Sequence, residues 1–167
     1  MQELSIYATE TRNNPLDIVE QIVLSNEWTH ERRNDNELAA EVAGGWCDYS
    51  MFFCWREELE TMHFSCALDL KVPPMKRGGI SELLMEVNEK LWLGHFGVWT
   101  EEGVPMFRHS LILRGSACTS VETIEDLVDT ALFESDRFFP AFQYVIWGGK
   151  DAREAIQLSL LDVAGQA

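Results

Sequence analysis

Between residues 61 and 72 the chain alternates apolar and polar side chains. Met62, Phe64, Cys66, Leu68, Leu70 and Val72 fall on one side, and His63, Ser65, Asp69 and Lys71 on the other. A period of two belongs to a strand buried on one face. Such a strand must be paired along its edges and covered on its apolar side. The chain is therefore committed to a sheet with a covering layer.

The remaining elements follow from the same kind of reading. Asn14-Pro15 supplies a helix N-cap and a first-position proline, and Leu16, Val19, Ile22 and Val23 recur at helical spacing to about Ser25. Residues 28–33 read as a strand, Asn34-Asp35-Asn36 as a turn, and Leu38, Ala40 and Val42 as the apolar side of a second strand. Gly44-Gly45 marks a bend or bulge. Residues 47–55 form a third strand with Tyr49, Met51, Phe53 and Trp55 on one face, and Glu57-Glu58 sits in the turn that follows.

Downstream, Pro73-Pro74 closes the alternating run. Gly78-Gly79 predicts a loop, Ser81 the cap of a helix to about Leu93, and Gly94 its stop. Residues 95–100 and 106–114 flank Glu101-Glu102-Gly103 as a hairpin. Thr119 and Glu122 match a capping box ahead of a helix with Ile124, Leu127, Val128, Ala131, Leu132 and Phe138, which Pro140 interrupts or restarts. Gly148-Gly149 breaks the chain, and Asp151 with Glu154 predicts a last helix to about Val163. The order is α-β-β-β(β)-α-β-β-α-α. It implies an α+β fold with a curved antiparallel sheet and helices packed on one face. The 167 residues suggest one domain, expected over 14–164 between short tails at 1–13 and 165–167.

Charge excludes whole classes of function. The net charge is −15, from 28 acidic and 13 basic residues. Phosphate binding needs clustered Lys and Arg, and the densest basic spots are the pairs Arg32-Arg33 and Lys76-Arg77. No nucleic-acid or membrane partner is expected. No apolar run reaches the roughly 20 residues of a membrane-spanning helix, and the opening Met-Gln-Glu-Leu-Ser-Ile lacks the pattern of a secretory signal. A cytoplasmic location is expected.

Catalytic and metal motifs are missing as well. Cys47, Cys54, Cys66 and Cys118, with His30, His63, His95 and His109, show no zinc-ligand spacing. No nucleophile elbow, P-loop or dinucleotide motif occurs. Carboxylate-rich stretches such as Glu122, Glu125, Asp126 and Asp129 fit the start of a helix. No catalytic residue, metal or cofactor is expected.

Aromatic residues are abundant, with six Trp and nine Phe. On the third strand Phe53 and Trp55 share one face, and Trp46 and Phe52 are expected on the other. One of the two faces then meets a dimer partner, a loop or a bound peptide, since aromatics are enriched at interfaces. Phe53, Trp55, Trp92 and Trp99 are the candidate protein-binding residues.

The phrases Trp92-Leu93-Gly94-His95-Phe96-Gly97-Val98-Trp99, Glu101-Glu102-Gly103 with Pro105-Met106-Phe107-Arg108-His109, and Phe139-Pro140-Ala141-Phe142-Gln143 leading to Trp147-Gly148-Gly149-Lys150 resemble the YbjN-like family. Its members are described as bacterial sensory transduction regulators, and the alphaproteobacterial branch looks most similar. The resemblance extends over about Pro15 to Ala164. It implies a fold like that of type III secretion chaperones, dimeric α+β proteins that hold extended client segments, and it brings no catalytic residues.

Three readings of function compete. The leading one is a non-enzymatic protein-binding module, chaperone-like or an adaptor, that regulates a sensory or stress response. The second is an enzyme whose site is assembled only in the fold, with His109, Arg108 or Cys118 as members. The third is a structural subunit of a larger complex. A homodimer is expected, with residues 81–93 and the neighbouring strands, including Trp92 and Trp99, at its interface.

Overall fold

A computed structural model of the protein describes residues 14–115 and 119–165. The alternating run supplies an interior strand of the sheet. In chain order the elements are α1 (Pro15–Ser25), β1 (Thr29–Asn34), β2 (Glu37–Ala43), β3 (Asp48–Arg56), β4 (Thr61–Ala67), α2 (Arg77–Asn88), β5 (His95–Trp99), β6 (Val104–Ile112), α3 (Val121–Ile146) and α4 (Ala152–Gly165). The strands form one antiparallel sheet in the order β1-β2-β3-β4-β6-β5. The expected α+β class and element order hold.

The helices lie on one face of this sheet. There Tyr49, Met51 and Phe53 of β3 and Met62, Phe64 and Cys66 of β4 are fully buried. Helix α1 packs on β2 and β3, α3 on β4 and β6, and α2 on β5, while α4 packs on α2 and α3. Phe96 of β5 meets Phe107 and Phe138 edge-on, at ring-centroid distances of 5.7 and 6.2 Å, and Phe142 at 5.6 Å. Asn14 caps α1 as its sequence requires, accepting the Leu16 N–H at 2.9 Å. Arg32 ties that helix to β1 by bonding Asp17 at 2.9 Å and Glu20 at 3.0 Å.

Edge strand β5 is closed by a side chain. The outward Phe96 N–H donates to Asn88 Oδ1 (2.7 Å), and the Phe96 carbonyl accepts from Asn88 Nδ2 (3.0 Å). The amide of α2 thus stands where another strand would bond.

Four local readings are corrected. Strand β4 stops at Ala67, because from there the chain leaves the ladder and bonds the start of β6 and the turn before it, through Leu68 N–H to Pro105 O (2.9 Å) and Val72 N–H to Gly103 O (2.7 Å). Leu68, Leu70 and Val72 are buried all the same, so the alternation reported burial beyond the strand. Helix α2 begins at Arg77, runs through Gly78-Gly79 and ends at Asn88. Ser81 donates back to the Arg77 carbonyl (2.9 Å) and caps nothing. A Cβ on Gly79 would approach Val145 to 3.1 Å, so glycine there serves close helix packing. The cap of α3 is Ser120, which accepts the Thr123 N–H at 3.1 Å, one residue beyond the expected Thr119. Asp151 does cap α4, accepting from Glu154 N–H at 2.9 Å.

The fourth correction concerns Pro140. Helix α3 is continuous through it. A proline inside a helix removes the bond to the carbonyl four residues back and crowds that carbonyl. Here that carbonyl belongs to Asp136, and it accepts the Trp46 indole N–H at 2.9 Å. The next carbonyl, of Arg137, accepts the Ser159 hydroxyl of α4 at 2.7 Å. The helix survives because two other elements satisfy the carbonyls that the proline disturbs.

Asp136 is held by its side chain too. Its Oδ1 accepts the Gly45 N–H (2.8 Å) and the Tyr49 phenol (2.6 Å). Burial and this carboxylate push the Tyr49 pKa up, so the phenol stays protonated. A Cβ on Gly44 would overlap the Tyr49 ring, so only glycine lets the connection pass there. Trp46 completes the contact by stacking on Phe139, 6.4 Å between centroids and 7° between planes. Hydrogen bonds to a charged group contribute about 1.5–3 kcal/mol each, and an orphaned partner adds a penalty. Asp136→Ala is therefore expected to lower the unfolding free energy by about 2–4 kcal/mol, and Trp46→Phe by about 1 kcal/mol. Urea denaturation measures both, and an Asp136→Ala protein within about 0.5 kcal/mol of the parent would contradict the assignment.

Candidate functional site

On the sheet face opposite the helices, strand register brings side chains from distant parts of the chain into rows. Cys54, His63 and Ser110 share one row across β3, β4 and β6. Ala39, Phe52, Ser65, Arg108 and His95 form the next. Glu41, Ser50, Ala67, Met106 and Gly97 form a third, with Val104 opposite Trp99 beyond it. Three adjoining hollows lie on this face and all include Phe52. The largest encloses about 530 Å³ between Arg33, Ala39, Phe52, Trp99, Met106 and Arg108.

Charge is unevenly spread over the face. Arg108, His63 and His95 lie on β6, β4 and β5; on the β2–β3 side Glu37 shares the His63 row and Phe52 the Arg108 row; and Glu41, Asp48, Asp69 and Glu102 line the hollow that Ala67 and Met106 also border. His63 centres the polar cluster. Its Nδ1 lies 2.9 Å from Ser110 Oγ, and its Nε2 3.2 Å from Ser65 Oγ and 3.4 Å from the Arg108 guanidinium. Burial, then the charge of Arg108, then His95, hold the His63 pKa below the ordinary histidine value. Burial, followed by Glu37, pushes the Cys54 thiol up, against the opposing pull of Arg56 and Arg33.

The cluster lacks the pairing of a catalytic triad. Both nitrogens of His63 face hydroxyls and a guanidinium, so no carboxylate raises its basicity as in a catalytic triad. Cys54 is held toward its protonated form, which is not nucleophilic. Among the described residues no three His, Cys, Asp or Glu gather as metal ligands. Among them, too, no helix is long and apolar enough to cross a membrane.

The residues named from sequence are dispersed. Phe53 is 1% exposed, its ring 4.8 Å from that of Phe64, and Trp55 is 8% exposed; both face the helices. Trp92 is fully exposed in the turn after α2, and Trp99 is 48% exposed on the open face. Trp46 does not share the open face with Phe52, because it turns under α3 to reach Asp136 and Phe139. Arg108 and His109 are consecutive on β6, so their side chains point to opposite faces. His109 sits on the helix side, where burial and His95 lower its pKa. Cys118 lies outside the described residues. Phe52, Ser65, Met106 and Ser110 were not among the sequence candidates. Parity already set Phe52 and Ser65 on the side opposite the core, but the rows that join these residues needed the register between β4 and β6.

Removing Arg108 takes away a positive neighbour that disfavours the imidazolium. Arg108→Ala is expected to move the His63 titration midpoint upward, toward the ordinary 6.5. A ¹H–¹⁵N NMR titration of the ring nitrogens reads this directly, and a midpoint that stays put or falls would remove Arg108 from the cluster.

A family model described as "Putative bacterial sensory transduction regulator" matches residues 15–144. No curated protein matches the chain. The matched span starts at the first residue of α1 and stops two residues short of the end of α3. It therefore contains the whole sheet, the open face and the Asp136 contact, and leaves α4 outside. The chain belongs to the YbjN family.

Proposed function

We propose that this protein is a non-enzymatic regulator of the bacterial cytosol that works by holding a segment of another protein on the open face of its sheet. The observation that carries this reading is the apolar hollow that runs through Phe52 on a face that none of the described helices covers. It is lined by the half-buried Phe52 and by Met106, only 8% exposed, with Trp99, 48% exposed, at the margin. Apolar patches rimmed by polar residues mark interaction sites, and an aromatic pair beside a methionine offers an adaptable apolar contact. The family description as a regulator is consistent with a binding role.

Phe52 is half-buried on the uncovered side, so an acidic replacement there alters the surface more than the core. Phe52→Asp is expected to abolish capture of the native partner by the tagged protein in cell extract while leaving the far-UV circular dichroism unchanged. Capture of the same partner by Phe52→Asp, or by a Trp99→Ser Met106→Asp double variant, would refute this use of the face.

A second surface supports self-association. Trp92 is fully exposed, Leu93 follows it half-exposed, and Met85 of α2 is exposed as well. None of the three lines the hollows through Phe52, so pairing through them leaves those hollows accessible. A two-fold homodimer through this region is the proposed state. Light scattering on a sizing column should give twice the 19.1 kDa chain mass, falling to a single chain mass for Trp92→Glu. A single mass for the parent at high micromolar concentration would refute it.

A further inference from the structure

Charge is distributed across this sheet in a way that the overall composition hides. The chain carries 28 acidic residues, yet β4, β5 and β6 contain not one Asp or Glu. The same strands hold His63, His95, His109 and Arg108, three of the four histidines with a guanidinium. Register then sets His63, His95 and Arg108 on the open face within two neighbouring rows. Among the described residues no carboxylate pairs with Arg108; its contact is the uncharged ring of His63.

We propose that the β4–β6–β5 half of the open face seats an extended protein segment whose carboxylate pairs with Arg108, while the apolar side chains beside that carboxylate rest on Met106, Phe52 and Trp99. The inference rests on the proposed binding role and specifies the chemistry of the bound segment. The exposed Arg108 guanidinium has no acidic partner among the described residues and can take a carboxylate through two parallel N–H donors. Ser65 and Ser110 hold the His63 ring in place beside it. The acidic side chains of the adjoining hollow, Glu41, Asp48, Asp69 and Glu102, repel a second carboxylate and so set the direction in which the segment lies.

Two other ligands fit less well. A polynucleotide needs several phosphate contacts, and the hollow offers Arg108 with an Arg33 that already faces Glu31 at 3.6 Å. A small anion would leave most of a 530 Å³ hollow unused. The net charge of −15 opposes an acidic ligand at long range, but salt screens that repulsion beyond about 8 Å, whereas a close ion pair persists.

Dye-labelled heptapeptides on the full-length protein, read by fluorescence anisotropy, provide the test. One peptide alternates aspartate with leucine, a second substitutes lysine for aspartate, and a third substitutes serine. At 50 mM salt the aspartate peptide should bind at least about tenfold tighter than the lysine peptide, and the gap should narrow at 300 mM salt. Arg108→Gln should weaken the aspartate peptide by about five- to tenfold and leave the serine peptide unchanged. Equal or tighter binding of the lysine peptide, an Arg108→Gln protein that binds the aspartate peptide normally, or no binding of the aspartate peptide would overturn the inference. Displacement by an equimolar single-stranded oligonucleotide would do so too, by marking a general polyanion surface. Loss of serine-peptide binding in Phe52→Asp would still support the open face as a binding surface, so the two conclusions fail separately.

Discussion

Asp136 is the residue through which the helix layer is joined to the sheet. Its carboxylate receives Gly45 and Tyr49, and its carbonyl receives Trp46. All three donors come from the β2–β3 connection or the strand it leads into, and the acceptor is in the middle of the longest helix. Pro140 is what frees the carbonyl, since it cannot bond the residue four positions back. A residue that would ordinarily weaken a helix interior here creates an acceptor aimed at another element. Ser135, next in the chain, lies fully buried with its hydroxyl 3.9 Å from the Cys66 sulfur. A small side chain at that position lets the helix sit directly on β4.

With α3 fixed to β4 and β6, α1 on β2 and β3, and α2 on β5, the helices on the sheet are gathered on one side. The apolar surface offered by Phe52, Ala67, Met106 and Trp99 therefore faces away from the protein's own core. Burying apolar surface contributes roughly 25 cal/mol per Å² removed from water. A ligand that covers this floor recovers a contribution the fold itself leaves unused. On the β5 edge the outward groups of Phe96 are already bonded by Asn88, which hinders addition of a further strand at that residue.

Much of the fold was legible because both periodicities are local. Helix α1, the strands β1 to β3 and the β5–β6 hairpin follow from residues within one turn or one alternation of each other. The misreadings share a different cause. The end of β4, the start of α2 and the continuity of α3 are each decided by a partner far along the chain: Pro105 and Gly103 for Leu68 and Val72, Val145 for Gly79, and Trp46 for the carbonyl ahead of Pro140. Turn residues such as Pro and Gly signal a break only when nothing distant compensates. The candidate site was less legible still. Its residues were visible as the polar side of each strand, but the meeting of His63 with Ser110 and Arg108 depends on a register between segments some 45 residues apart.

Which aromatic side chain reaches the open face comes down to parity on β3. Phe52 and Phe53 are chemically identical neighbours, and only their order in the strand sends one to the hollow and the other to the core. A slip of one residue would exchange every side chain between the faces, placing Phe52, Cys54 and Ser50 against the helices and Met51, Phe53 and Trp55 in water. The Tyr49 hydroxyl bonded to Asp136 forbids that slip, because Tyr49 must point toward the helices to make the contact, and Gly44 admits its ring only in that position. The contact that joins helix to sheet therefore also fixes the register of β3, and through register the composition of the open face. Disturbing it would change the open face without altering any residue on that face.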